Sequence, residues 1–195
     1  FTPADITDVL LTHLHFDHVG GAVAQDGAEL IPFFPNARYW SNKKHFDWAA
    51  NPNDREKASF LRENFIPLET NNAINWIDTA PHDTIIDWLP NISIQNVYGH
   101  TEAMMLPHIR HQDKTIVYCA DLIPSPNHVP LAYVMGYDMR PLQTMAEKNW
   151  LLERAVEQNF ILFFEHDKET QACTLTRNDK GRIVVADKGD LIKFL

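Results

Sequence analysis

Cysteine is scarce in this chain, basic runs are missing, and no apolar stretch is long. Only Cys119 and Cys173 occur in 195 residues. One disulfide between them is open, but two cysteines are no disulfide framework. Cys119, inside an apolar run, reads as a buried thiol. Lys43-Lys44 is only a pair, and a net charge of −9 argues against an electrostatic nucleic-acid groove. No apolar run approaches the ~20 residues that cross a bilayer. No Gly-x-Ser-x-Gly turn offers a serine nucleophile, and neither cysteine lies in a reactive context. No internal repeat or low-complexity tract is present. The expected partner is therefore a small molecule, not nucleic acid or a membrane, and the expected location is cytoplasmic, with export as the alternative. With 45% hydrophobic residues the chain reads as a single domain, 1–195, with its own core.

What is abundant is metal-ligating chemistry, concentrated in Thr12-His13-Leu14-His15-Phe16-Asp17-His18-Val19-Gly20-Gly21. The stretch follows an apolar run, Ile6 to Leu11, that predicts a buried strand. His13 and His15 are two apart and face the same way on an extended segment. Asp17 and His18 serve a second ion only if the backbone leaves strand geometry near Phe16. Gly20-Gly21 then permits a tight turn or a close backbone approach. Single histidines are usually structural or solvated, but a cluster of imidazoles and a carboxylate is what borderline metals require.

Further along, Thr2-Pro3-Ala4-Asp5 predicts a capped turn and Ala22 to Gln25 the stub of a helix. Glu29 to Phe34, with Pro32 inside, is an edge strand or irregular. Ala37 to Trp40 reads as a strand, Ser41 as the cap of a helix over Lys43 to Ala50, and Asp54 as the cap of a second helix over Arg55 to Asn64. This helical insertion, about 41–65, carries Phe46, Trp48, Phe60 and Phe65. These aromatics either pack the helices onto the body or, for Phe46 and Trp48, line an apolar substrate pocket. Strands follow at Ile74 to Ile77, Thr84 to Leu89, Ile92 to Val97, Ala103 to Arg110, Thr115 to Ala120 and Phe160 to Phe164. A long Pro-rich loop, Leu122 to Pro141, holds His128, Tyr133 and Tyr137, which either contact substrate or fix the loop to the body. Leu142 to Asn159 predicts an amphipathic helix with an apolar core stripe. A hairpin over Ala172 to Ala186 precedes an unplaced tail. An aspartate at the end of a strand, such as Asp121, either caps the next turn or serves as a ligand.

The His13-Leu14-His15-Phe16-Asp17-His18 stretch resembles the His-x-His-x-Asp-His signature of the metallo-β-lactamase superfamily. His100 in Gly99-His100-Thr101, Asp121 in Cys119-Ala120-Asp121 and His166 in Glu165-His166-Asp167 follow the rest of its pattern in order. The resemblance covers most of the chain and implies an α/β fold, a four-layer αββα sandwich lacking part of its N-terminal strands. An N-terminal segment or a second chain, as in a homodimer, would then cover the sheet edge. The resemblance also implies two divalent ions, Zn²⁺ foremost with Mn, Fe or Co as alternatives. His13, His15 and His100 would hold one ion; Asp17, His18 and His166 would hold the other, with Asp121 bridging. The implied activity is a binuclear hydrolase whose metal-bridging hydroxide attacks a small, fairly apolar ester, lactone or phosphotriester. Asp17 or Asp121 would relay protons, and His128, Tyr133 or Tyr137 would stabilise the oxyanion. The chain departs from many members where Glu102-Ala103-Met104-Met105, not Pro-Gly-His, follows Gly-His-Thr. That departure points away from thioester hydrolases, while the Pro-rich loop after Asp121, the aromatics and the helical insertion look more like the N-acyl-homoserine lactonase and methyl parathion hydrolase-like branch. A mononuclear iron persulfide dioxygenase is the alternative on the same fold.

Overall fold

The computed structural model describes residues 1–195. Contacts divide the chain into two compact units, Phe1–Thr79 and Ala80–Leu195.

The first unit opens with a single turn at Pro3–Asp5. Asp5 Oδ2 accepts from the Thr2 backbone N–H at 2.6 Å and from its hydroxyl at 2.9 Å, as a capping residue three positions on should. Strand β1 (Asp8–Leu10) pairs in parallel with a strand at Arg38–Ser41, which pairs in parallel with one at Ile74–Trp76. Between them comes α1 (Phe16–Val19), a one-turn helix. The expected helix stub at Ala22 to Gln25 is instead β2 (Val23–Asp26), paired antiparallel with β3 (Glu29–Pro32). Asp26-Gly27 is the reason: Gly27 adopts φ +60°, which closes a two-residue hairpin turn instead of ending a helix. Strands β4 (Arg38–Ser41) and β5 (Ile74–Trp76) complete the parallel sheet, and α2 (Lys43–Ala50) follows β4. Its cap is Asn42, not Ser41: Asn42 Oδ1 accepts from the His45 N–H at 2.7 Å. The expected helix over Arg55 to Asn64 does not form. That segment holds turns and a short 3-10 helix at Arg62–Asn64, followed by α3 (Ile66–Thr70). Asn53 Oδ1 takes the N–H groups of Arg55 and Glu56, and Ser59 O takes that of Phe16, so long-range pairing overrides helix propensity. Leu14, Tyr39, Phe46, Phe60, Phe65 and Leu68 form the core of the unit. Truncating Phe65 to Ala would cost about 3–5 kcal/mol.

The second unit is a seven-stranded sheet. Its strands are β6 (Ile85–Leu89), β7 (Ile92–Val97), β8 (Met104–His111), β9 (Lys114–Tyr118), β10 (Ile161–Phe163), β11 (Ala172–Arg177) and β12 (Ile183–Gly189), in the order β12-β11-β10-β9-β8-β7-β6. Only β9 and β10 pair in parallel. A parallel pair needs a crossover, supplied here by the 122–140 loop and α4 (Pro141–Glu157). Strands β7, β9 and β10 therefore run the same way, and their C-terminal ends share one sheet edge. Leu151, Leu152 and Ala155 of α4 pack with Val97, Met104, Leu106, Val117 and Leu162 of the sheet. The first half of α4 departs from the expected apolar stripe. Leu142 is 82% exposed, while Thr144, Glu147 and Lys148 are buried. Both cysteines are free and buried. Burial pushes the Cys173 thiol up to about 12 and the Cys119 thiol well above its ordinary range, which leaves both unreactive. The tail forms a 3-10 turn at Leu191–Phe194, and Lys114 Nζ donates to Phe194 O at 2.6 Å. No helix is long and apolar enough to cross a membrane.

Candidate functional site

In the first unit, the chain leaves β1 and turns at His15. Its extended backbone caps α1, so the strand geometry ends at Phe16. Leu14 is fully buried, and its alternation with His13 and His15 keeps the two rings on one side. Their centroids lie 4.7 Å apart, and the His13 and His18 rings lie 4.0 Å apart. Asp17 Oδ2 sits 3.7 Å from His18 Nε2 with its side chain 44% exposed. Gly20 closes the turn by donating to Phe16 O at 2.9 Å, and a Cβ there would meet that oxygen at 2.7 Å.

Two residues that the sequence did not flag, His45 and Glu56, support this loop. His45, on α2, accepts the Leu14 N–H through Nε2 at 2.8 Å. Its ring is therefore neutral at that nitrogen and pins the backbone between the two histidines. Glu56 is 2% exposed and places Oε1 3.4 Å from His15 Nε2. Its other oxygen accepts from Trp48 Nε1 and Asn53 Nδ2, each at 2.7 Å. A carboxylate beside one ring nitrogen favours one orientation of the ring and leaves the other nitrogen for an ion. Trp48 thus acts on His15 through Glu56. Phe46, offered as a pocket residue, is 2% exposed in the core, edge-on to Phe65 at 5.5 Å. The packing alternative holds for its ring.

In the second unit, His100 follows β7, Asp121 follows β9 within a 3-10 turn at Ala120–Leu122, and His166 follows β10. Three co-directional strands so deliver three donors to one edge. Asp121 Oδ2 lies 3.1 Å from His100 Nε2, and Oδ1 lies 3.1 Å from His166 Nε2. Two donors each about 2.0–2.1 Å from one tetrahedral ion stand roughly 3.3 Å apart, so each oxygen is spaced to share an ion with a different imidazole. Ala120 adopts φ +41° and Ala103 φ +53°, so left-handed backbone flanks two of the candidate donors, His100 and Asp121.

His100 is held on every side by residues 138–147. Its Nδ1 faces Asp138 Oδ1 at 3.0 Å. Arg140 N–H donates to Gly99 O at 2.8 Å and Met139 N–H to His100 O at 3.1 Å. Arg140 Nη1 donates to Tyr98 O at 2.6 Å. Glu147 accepts the Tyr98 N–H at 2.8 Å and the Gly99 N–H at 3.0 Å. A Cβ on Gly99 would meet Thr144 at 2.3 Å, so only glycine admits this approach. Burial alone would lower the imidazole pKa of His100, but its hydrogen bonds to the Asp121 and Asp138 carboxylates, with their charges, outweigh it and raise the pKa to about 9. Asp138 and Glu147 lie on a loop and a helix far from the motif and carried no local signal.

Among the tentative substrate contacts, His128 Nδ1 is 2.9 Å from Ser125 Oγ. Burial, reinforced by the Lys148 charge, lowers its pKa and keeps it neutral. Tyr133 is 62% and Tyr137 77% exposed, so neither ring packs the loop down. The sequence also gave no sign of Tyr118, whose hydroxyl donates to Glu165 beside His166.

A family model of the metallo-beta-lactamase superfamily matches residues 1–166, and the chain belongs to that superfamily. Its fold is the metallo-β-lactamase fold. A probable metal-dependent hydrolase from Staphylococcus aureus is 26% identical, with a TM-score of 0.81 over 96% of this chain and 63% of that one. AidC, a dizinc quorum-quenching lactonase, is 20% identical, with a TM-score of 0.79 over 98% of this chain and 67% of its own. The hydrolase AbOPH of the beta lactamase superfamily is 18% identical at TM-score 0.76, over 95% and 65%. The chain thus spans about two thirds of the length of these structures. No curated protein gives a significant match.

Proposed function

We propose that the protein is a binuclear metal-dependent hydrolase acting on a small, fairly apolar ester, lactone or phosphotriester. The observation that carries this reading is Asp121, whose two oxygens each face a different imidazole at 3.1 Å. One carboxylate placed between two histidines is the arrangement that suits a shared ligand of two ions. In the superfamily pattern, His13, His15 and His100 hold one ion, and Asp17, His18 and His166 the other. The donor chemistry fits: imidazoles and carboxylates, with carboxylate partners behind His15 and His100, suit Zn²⁺ or a similar ion. When bound, two such ions supply a water ionised near neutral pH and a clamp for the attacking and leaving oxygens.

The remaining work falls to the chain. Asp121 lowers the net charge of the site. Glu56 and Asp138 fix the rings of His15 and His100. Asp17, far more exposed than Asp121 (44% against 8%), is the carboxylate within reach of solvent. His128 is a neutral imidazole held by Ser125 and serves as the hydrogen-bond donor to developing negative charge. Tyr133 and Tyr137 present phenols from the same loop. The dizinc lactonase among the structural neighbours supports both the zinc and the lactone parts of the reading.

Elemental analysis of protein purified without added metal is the first test. Near two equivalents of zinc per chain, with turnover of a lactone, ester or phosphotriester panel, supports the proposal. One equivalent of iron would overturn it and direct assays to oxygen consumption.

A further inference from the structure

Glu147 and Lys148 are adjacent on α4, oppositely charged and fully buried. Neighbouring helical side chains diverge by about 100°, so each serves a different segment. Glu147 grips the peptide N–H groups of Tyr98 and Gly99, directly before His100. Lys148 Nζ donates to the carbonyls of Pro130 at 3.0 Å, Leu131 at 3.4 Å and Tyr133 at 2.6 Å. That uses all three ammonium protons. Burial pulls the Lys148 pKa to about 8, which leaves it charged at neutral pH. Burying an ammonium is costly unless its donors are satisfied. Here they are satisfied by the loop that carries His128, Tyr133 and Tyr137, and by nothing in the core.

We propose that Lys148 is a positioning residue for substrate: it anchors the 130–133 segment and so sets where the 128–137 loop presents its side chains. Glu147 performs the separate task of holding the His100 loop. The proposal rests on the hydrolase reading for its effect on substrate, but the anchoring itself does not. An apolar side chain at 148 would leave three loop carbonyls without this donor, and a neutral amide would supply only two protons. Loop position, not ligand geometry, should change.

The experiment compares Lys148→Met, Lys148→Gln and Glu147→Gln in the full, zinc-loaded chain. Three quantities are read: amide hydrogen exchange, zinc affinity by chelator competition, and kcat and KM on the best substrate of the panel. Lys148→Met should speed exchange across 130–137 and raise KM about ten-fold, since small misplacements carry effects of this size or larger. Its zinc affinity should stay at the wild-type level. Lys148→Gln should fall between Lys148→Met and wild type, and it decides the matter if Lys148→Met does not fold. Glu147→Gln should do the reverse, speeding exchange at 98–101 and weakening zinc about ten-fold. Unchanged exchange at 130–137 in both Lys148 variants overturns the anchor. Faster exchange with an unchanged KM overturns the effect on substrate. A zinc loss in Lys148→Met equal to that of Glu147→Gln overturns the division of labour. If the wild type turns over no member of the panel, the hydrolase reading fails, and the exchange and zinc data still decide whether Lys148 is the anchor.

Discussion

The two regions that carry candidate metal ligands reach similar chemistry by opposite routes. In the first unit, four candidate donors lie between His13 and His18, and one strand-to-helix turn arranges them. In the second, His100, Asp121 and His166 are far apart in sequence and meet because β7, β9 and β10 end at one sheet edge. The first region has geometry built into its local sequence and borrows orientation from distant groups, Glu56 and His45. The second has no local geometry: the sheet brings its donors together, residues 138–147 fix the His100 loop, and Pro124 O accepts the His166 N–H. Compact motifs are therefore easy to read but still need remote support, whereas dispersed ligands are individually plain and depend on topology.

The largest expected effect comes from breaking the second region at its centre. Asp121→Ala removes a carboxylate that faces both His100 and His166. Binuclear occupancy by elemental analysis should collapse, and kcat/KM should fall by more than about 100-fold, beyond the most that loss of an outer partner brings. Wild-type activity in this variant would remove the bridging assignment.

A smaller effect separates orientation from ligation. Asp138→Asn and Glu56→Gln keep the shape of the carboxylates behind His100 and His15 but not their charge. Each should weaken zinc about 10- to 100-fold, measured by chelator competition. If the regions differ as described, Asp138→Asn will be the milder, because backbone hydrogen bonds on Tyr98, Gly99 and His100 also fix that loop. Equal losses would erase the distinction.

Much of this difference is visible in the residues themselves. His13 to Gly21 announces itself by composition, and the condition on Asp17 and His18, that the backbone leave strand geometry near Phe16, is met at α1. Strand β7 and helix α2 fall on their expected spans because their patterns are regular and bounded by turn residues or a cap. The helix expected over Arg55 to Asn64 fails for a physical reason. Its residues favour helix, but Glu56 is drawn to Trp48, Asn53 and His15, and tertiary hydrogen bonds outweigh propensity. The stub at Ala22 to Gln25 fails because Asp-Gly closes a hairpin. Asp138, Glu147 and Lys148 were illegible, since a buried polar residue on a helix or loop looks like a solvated one until its partner is placed. The substrate contacts stay proposals because exposed Tyr133 and Tyr137 have no fixed partner that names a ligand.

A third effect tests the sheet of the second unit away from its ligand edge. His108 is 4% exposed and bonds Gln95 Oε1 through Nε2 at 3.0 Å. Burial, helped by the charge of Arg154, lowers its pKa to about 4. A depressed value means the unfolded chain binds the proton first. The stabilisation is thus present above pH 6.5 and is lost as pH falls towards 4. The loss should be up to about 3 kcal/mol, from 1.36 kcal/mol per pKa unit. Urea melts of the wild type and His108→Gln from pH 7 to 4 should show a shallower slope in the variant. Parallel slopes would place the acid sensitivity elsewhere.

The smallest effect sharpens the first region. Trp48→Phe keeps a ring but removes the indole N–H that Glu56 accepts at 2.7 Å. Glu56 retains Asn53 and its contact with His15, so the carboxylate should loosen without leaving. A lost hydrogen bond to a charged group is worth about 1.5–3 kcal/mol, and most of that should appear as stability, since Trp48 reaches His15 only through an intermediary. Zinc affinity should fall only a few-fold, well short of the loss in Glu56→Gln. In the double variant, the Trp48 change should add nothing further to the zinc loss, because its path to the histidine is already cut. Additive zinc losses would mean that Trp48 acts on the loop by a second route, and its indole would return as a candidate for direct contact with substrate.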